Sequence, residues 1–173
     1  MVIPIKGSAL YKNDLALLDI LASNNWERPI YFNQTSLMNI NLNLRDYVVQ
    51  EGATFRLLPI DSRKQPSNSA SLNTELDFTA SRDMVNTEVM YDNMMNKFRW
   101  RELDNPNTYY TTEDYKDKAV SVHRSYLNNL AKGLIEENKI EKAKEVLLKG
   151  LDTMPDKAVP FGIYNAESVS LLF

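Results

Sequence analysis

The chain has 173 residues, 43% of them hydrophobic and 25% charged, with a formal net charge of −3 and no cysteine. That is enough apolar material for one compact domain, or a small domain with an appended helical unit, without disulfides or a structural metal. Scattered basic residues on a mildly acidic chain argue against a nucleic-acid footprint, and the missing cysteines exclude thiolate metal sites, cysteine nucleophiles and disulfide scaffolds.

No apolar run approaches the roughly 18 residues of a membrane-crossing helix, and Met1 opens no signal-peptide pattern. A soluble piece with no membrane insertion of its own is therefore expected. Val2-Ile3-Pro4-Ile5 reads as a strand entered abruptly, and Leu171-Leu172-Phe173 leaves an apolar end, so both termini look cut from a larger protein.

In chain order, residues 14–23 predict a helix capped by Asn13, with Asp14 at the positive end of its dipole and Asn24-Asn25 as its stop. Its surface is apolar almost all round except at Asp19, which implies burial on two sides. Ile30-Tyr31-Phe32, after Pro29, predicts a strand, and a helical turn is expected near Leu42–Val48. Ala53 to Ile60 reads as a further strand entered from Gly52. Strand, helix, strand, short helix, strand point to a small, mostly parallel α/β sheet with flanking helices and a right-handed crossover. Residues 61–82 are a polar loop rich in Ser and Asn, in which Leu76-Asp77-Phe78 is the one candidate strand. From Val85 through Val89, Met90, Met94 and Phe98 a helical stripe runs to about Trp100, and Asp104-Asn105-Pro106-Asn107 is a turn.

Tyr115, Ala119, Val122, Tyr126, Leu130 and Leu134 then give one apolar helix face over about five turns, with Thr111 or Thr112 as the cap. Asn138 with Glu141 has the form of a capping box for a second helix whose buried face is Ile140, Ala143, Val146, Leu147, Gly150 and Leu151, stopped by Pro155. Leu127, Leu130, Ala131, Leu134, Ala143, Leu147, Gly150 and Pro155 fall on the positions of a tetratricopeptide unit, and the pair resembles one such repeat. Leu127, Leu134 and Gly150 depart from its usual Trp, Tyr and Ala. A generic helical hairpin is the alternative. The organisation expected is a small α/β domain over 1–105 followed by an all-α tetratricopeptide-like hairpin over 106–173, ending at the start of a further helix.

Few residues invite a chemical role. Trp26, Arg28 and Tyr31 flank Pro29 and form the candidate binding group: aromatic faces and a forked guanidinium suit hydroxyl-rich ligands. The plainer alternative has Trp26 packing on the sheet and Arg28 pairing with Glu27 or Asp19. Asp14, Asp19, Asp83, Glu88 and Asp92 are candidates for paired carboxylates, although nothing in the sequence sets two of them at a working separation. His123, the one histidine, falls inside a helix and reads as structural. Met84, Met90, Met94 and Met95 suit a core or an adaptable docking face, and Tyr109-Tyr110 suit a linker clamp. No catalytic residue, cofactor or metal is expected.

Several strings, taken together, carry a family resemblance. They are Lys12-Asn13-Asp14-Leu15 through Ala22, then Asn24-Asn25-Trp26-Glu27-Arg28-Pro29-Ile30-Tyr31-Phe32, Glu51-Gly52 with Arg56 to Ile60, and Asn86-Thr87 with Met90 to Phe98. In this order and spacing, over roughly residues 10–165, the chain resembles the C-terminal soluble region of a family of multi-pass membrane proteins. That family, found mostly in Bacteroidetes, carries a domain of unknown function and is related to protein O-mannosyltransferases of the lipid-linked sugar type. The resemblance implies a parent whose membrane half holds the catalytic machinery, including an acidic residue in a loop to which no part of this chain corresponds. It also implies a tail facing the periplasm, whose partner is an acceptor protein or peptide, or the membrane half itself. The rival readings are a free-standing peptide-binding module and, third, a soluble sugar-acting hydrolase.

Overall fold

The computed structural model describes residues 3–60, 85–112, 120–161 and 167–172. The expected loop 61–82 with its strand at 76–78, together with Asp83, Met84, Tyr115 and Ala119, lies outside them.

Helix α1, Lys12–Asn24, begins one turn earlier than its apolar run. Tyr11, not Asn13, is its N-cap residue, and Asp14 reaches back to accept the Tyr11 N–H at 2.8 Å. Asn25, at φ 48°, ends the helix in the left-handed conformation that Asn tolerates. Only Asp14 and Leu17 of α1 are buried, and Leu15 and Ile20 are exposed. The expected two-sided burial is thus corrected to one covered side.

Strand β1, Tyr31–Asn33, runs directly into α2, Gln34–Asn39, because the Asn33 carboxamide oxygen accepts the Ser36 N–H at 2.7 Å. A 3-10 turn at Arg45–Tyr47 leads into β2, Val48–Gln50, and β3 is Thr54–Leu57. The sheet order is β1-β3-β2 and both pairings are antiparallel, so the mostly parallel sheet expected above is wrong. The reason is local. The helical turn expected near Leu42–Val48 is present as the 3-10 turn, but Val48 to Gln50 after it form a strand that was not expected. The link through Glu51, Gly52 and Ala53 is far too short for a crossover, so it closes a hairpin. Gly52 takes φ 131°, which a side chain would strain.

Alternation along β3 puts Phe55 and Leu57 inward, where they meet Leu17, Ile40, Leu42, Leu44 and Val48 in a first core. Of the strand expected at 2–5, Val2 lies outside the described residues, and Ile5 makes a single bridge with Leu42, flanked by hydrogen bonds from Lys6 N to Asn41 O (2.6 Å) and from Asn43 N to Pro4 O (2.7 Å).

Past the undescribed stretch, Val85 makes a parallel bridge with Gln50 and α3 spans Thr87–Tyr91, capped by Asn86. The helix then widens into a π-helical turn, Asp92–Lys97. There Phe98 N bonds Asn93 O at 2.8 Å, which leaves the Met94 carbonyl to the Trp100 indole N–H, also at 2.8 Å.

Helices α4, Val122–Glu136, and α5, Ile140–Thr153, form the hairpin. Asn138 is not the cap of α5: it sits in the turn at φ 59°, and Lys139 precedes the first helical residue without a side-chain cap. Ala131 and Ala143 are fully buried, as a close helix seam requires, and an added Cβ on Gly150 would come within 3.2 Å of a Leu127 methyl. A short α6, Glu167–Ser170, follows.

The second core joins Val85, Met90 and Met94 to Leu127, Leu130, Leu134, Val146, Leu147 and Met154, so it draws residues from both sides of position 105. Across the gap between the cores run polar contacts. Asn129 Nδ2 donates to Gln50 Oε1 at 3.1 Å, and the Tyr126 hydroxyl donates to Gln34 Oε1 at 3.2 Å. Such bonds fix a relative orientation more sharply than apolar contact does.

Candidate binding face around Glu51

The β2–β3 turn carries Glu51, which is buried beside the exposed side of the sheet. Burying a carboxylate is costly unless donors surround it. Here the Tyr31 hydroxyl donates to Oε2 at 3.0 Å and Asn86 Nδ2 to Oε1 at 3.1 Å, while Arg56 Nη1 lies 3.6 Å from Oε1. The backbone oxygen of Glu51 accepts from Asn93 Nδ2 at 2.7 Å, which ties the hairpin to the π-helical turn. Partial burial and the bond to Glu51 both raise the Tyr31 pKa, so the phenol keeps its proton at neutral pH.

Strand register decides what this cluster displays. Tyr31 lies opposite Arg56, and Asn33 lies opposite Thr54, so these four side chains share one face, away from Phe55 and Leu57. The Tyr31 side is 45% exposed, the Arg56 side chain 44%, and Asn33 and Thr54 are exposed as well. The result is an aromatic ring and a charge-balanced guanidinium held in place by one interior carboxylate.

Of the three expected binding residues, the structure brings Tyr31 into this hydrogen-bonded group and leaves Trp26 and Arg28 outside it. Trp26 takes φ 59°, a conformation that costs a bulky residue about 1–3 kcal/mol, yet its side chain is 41% exposed and belongs to neither core. The turn that holds it is closed by Glu27 N to Asn24 O at 3.1 Å and by Asn24 Nδ2 to Arg28 O at 2.7 Å. Arg28 is exposed.

The candidate carboxylates serve local structure. Asp14 is fully buried and accepts from Tyr11 N, Asn41 N (2.8 Å) and Asn41 Nδ2 (3.1 Å), and these bonds hold its pKa below the usual carboxylate value. Asp92 is bound by Asn96 and Lys97, 2.9 and 2.6 Å away, with the same downward effect. Asp19 and Glu88 are exposed. His123 stands edge-on between Trp100 and Tyr126, at 6.1 and 5.8 Å between ring centres, with Nδ1 3.2 Å from Val120 O. Met90 and Met94 are core, and Tyr109 is exposed.

Sequence reasoning passed over Glu51, Arg56, Asn86 and Asn93 as a group. The available signal was an acidic residue next to a turn glycine with an arginine on the following strand. Also missed was Arg124, fully buried on α4. Its guanidinium donates to Met154 O (2.5 Å), Val159 O (2.8 Å) and Pro160 O (3.5 Å), under the Phe161 ring at 3.9 Å. It pins the segment that follows α5, and burial lowers its pKa.

Residues 1–77 match a family model described as TMEM260-associated domain 2. That is 77 of 173 residues, and the matched stretch includes α1, the whole sheet, Trp26, Arg28, Tyr31, Glu51 and Arg56, but stops before the hairpin. No curated protein and no solved structure matches the chain. Among the described residues, no helix is long and apolar enough to cross a membrane.

Proposed function

We infer that the chain serves as a non-catalytic accessory domain of a TMEM260-like, membrane glycosyltransferase-related protein. In this reading it lies on the extracytoplasmic side, at the periplasmic face of the inner membrane, and holds an acceptor protein or an assembly partner against the membrane half. The match over residues 1–77 carries the reading. It gains support from the carboxylates: Asp14, Glu51 and Asp92 are each committed to a different local network of donors, which suits scaffolding better than paired acid–base work.

The rival reading, a free-standing module that takes a peptide along the hairpin, is disfavoured by α4. Arg124, Tyr126, Leu127, Asn128, Asn129, Leu130, Ala131 and Leu134 are all buried, and their partners include Gln50 and Gln34 on one side and α5 on the other. Little of that helix is left to line a groove.

The test is the reading frame upstream of residue 1, followed by co-purification. Membrane spans encoded ahead of this chain, and retention of the purified chain by the detergent-solubilised membrane half, are expected. A frame with no spans overturns the reading.

A further inference from the structure

We propose that the outward face of the sheet, built on Tyr31, Asn33, Thr54 and Arg56, binds a neutral sugar ring. This goes beyond the accessory reading by giving the domain a ligand of its own, and it rests on that reading only for its biological setting.

The donors on this face are largely unspent. The Arg56 guanidinium is 44% exposed and lies 3.6 Å from Glu51 Oε1, beyond ordinary hydrogen-bond length. The Asn33 carboxamide uses its oxygen on Ser36 N, and Asn33 and Thr54 are both exposed residues. Beside them stands the Tyr31 ring, whose hydroxyl is anchored and whose carbon face is therefore the part on offer. A sugar ring has the matching pattern: a patch of C–H bonds that packs on an aromatic face, edged by hydroxyls that accept hydrogen bonds.

Charge narrows the ligand class further. Glu51 places a full negative charge beside Arg56, so the pair is close to neutral as seen from outside. A phosphate or carboxylate ligand would meet that buried carboxylate as a like charge, whereas a hydroxyl acceptor does not. Because Glu51 also fixes the Tyr31 hydroxyl, little side-chain freedom remains to be lost on binding.

The experiment is a ¹H–¹⁵N titration of the full 173-residue chain with cellotetraose, maltotetraose and mannotetraose, and with tetragalacturonate as the charged control. At least one neutral tetraose is expected to shift the amides of β1 and β3 saturably, at or below roughly 10 mM, with the uronate weaker. Tyr31→Ala should weaken binding about tenfold or more, while Tyr31→Phe, which keeps the ring but frees it from Glu51, should weaken it less. Thr54→Arg, at an exposed position away from both cores, should block the face if Tyr31→Ala fails to fold. Absence of saturable shifts with all three neutral tetraoses overturns the proposal. So does a stronger response to the uronate, or a loss of binding on Trp26→Ala but not on Thr54→Arg. A frame without membrane spans would sink the accessory reading while leaving this titration unaffected, so the two failures are distinguishable.

Discussion

The sheet region and the helical region bury their apolar residues very differently. Around α4 and α5, Leu127, Leu130, Leu134, Val146 and Leu147 are almost fully enclosed, and α3 with its π-helical turn adds Met90 and Met94 at full burial, although Leu148 and Ile140, the latter expected on the buried face of α5, are exposed. In the sheet region, α1 covers Leu17 but leaves Tyr11, Leu15 and Ile20 in water, and Trp26, Tyr31 and Met38 are exposed too. Helices on both sides of α4 close one region on itself. In the sheet region the face away from Phe55 is covered over β2, where Val49 and Glu51 are buried, and is open over β1 and β3, where Tyr31, Asn33 and Thr54 are exposed. The half-covered region is the one that coincides with the TMEM260-associated match, so the surface left open lies where a partner reading needs it.

If that contrast is right, substitutions should separate the regions by size of effect. Leu130→Ala, at a position with no exposure, should lose about 3–4 kcal/mol by transfer and cavity terms and lower the chemical-denaturation midpoint most. A smaller loss would mean that the helical core is looser than its burial implies. Arg124→Ala should come next, at about 3 kcal/mol, because three carbonyls lose their donor inside the protein; hydrogen exchange should quicken first over 154–161.

An intermediate effect belongs to Asp14. Its folded pKa is depressed from 3.8, so its stabilisation is complete above that unfolded value and is lost as pH falls toward the folded one. Thermal melts from neutral pH to about pH 3 should show a fall in Tm that Asp14→Asn reduces, with Asp92 left to contribute the same way, and the mutant should be less stable than the parent at neutral pH. Thr87→Val, which removes the hydroxyl donated to Glu137 at 2.8 Å, should lose about 1 kcal/mol. Least affected should be Leu15→Ser, within about 0.5 kcal/mol, since the side chain already meets water; a large loss there would show that α1 is covered in solution.

How much of this was legible in the sequence follows the same division. The hairpin could be read because Leu127, Leu130, Leu134, Val146 and Leu147 repeat at helical spacing and Pro155 ends the pattern. Helix α1 and strands β1 and β3 were legible from the Asn24-Asn25 stop, Pro29 and Gly52. Strand β2 was not: Val48-Val49-Gln50 is too short for a period to declare itself, and without it the sheet's direction came out wrong. Nor could periodicity tell how many sides of α1 would be covered, because that depends on neighbours rather than on the helix. The hydrogen-bonded group around Glu51 was half legible. Tyr31 was recognisable as an aromatic beside a turn, but the carboxylate that positions it lies twenty residues on, and only strand register brings Arg56 across from it.

The widened turn at Asp92–Lys97 carries a consequence for how this chain can change. A π-helical turn holds one residue more than an ordinary one, in effect a single-residue insertion absorbed by the helix. Excising that residue would hand the Met94 carbonyl back to its own helix and swing everything beyond it by about 100°. Trp100 would rotate off His123, and the edge-on series of rings that runs from Trp100 through His123 to Tyr126 would lose its first member. Length in this segment should therefore resist deletion more strongly than any one of its side chains resists replacement.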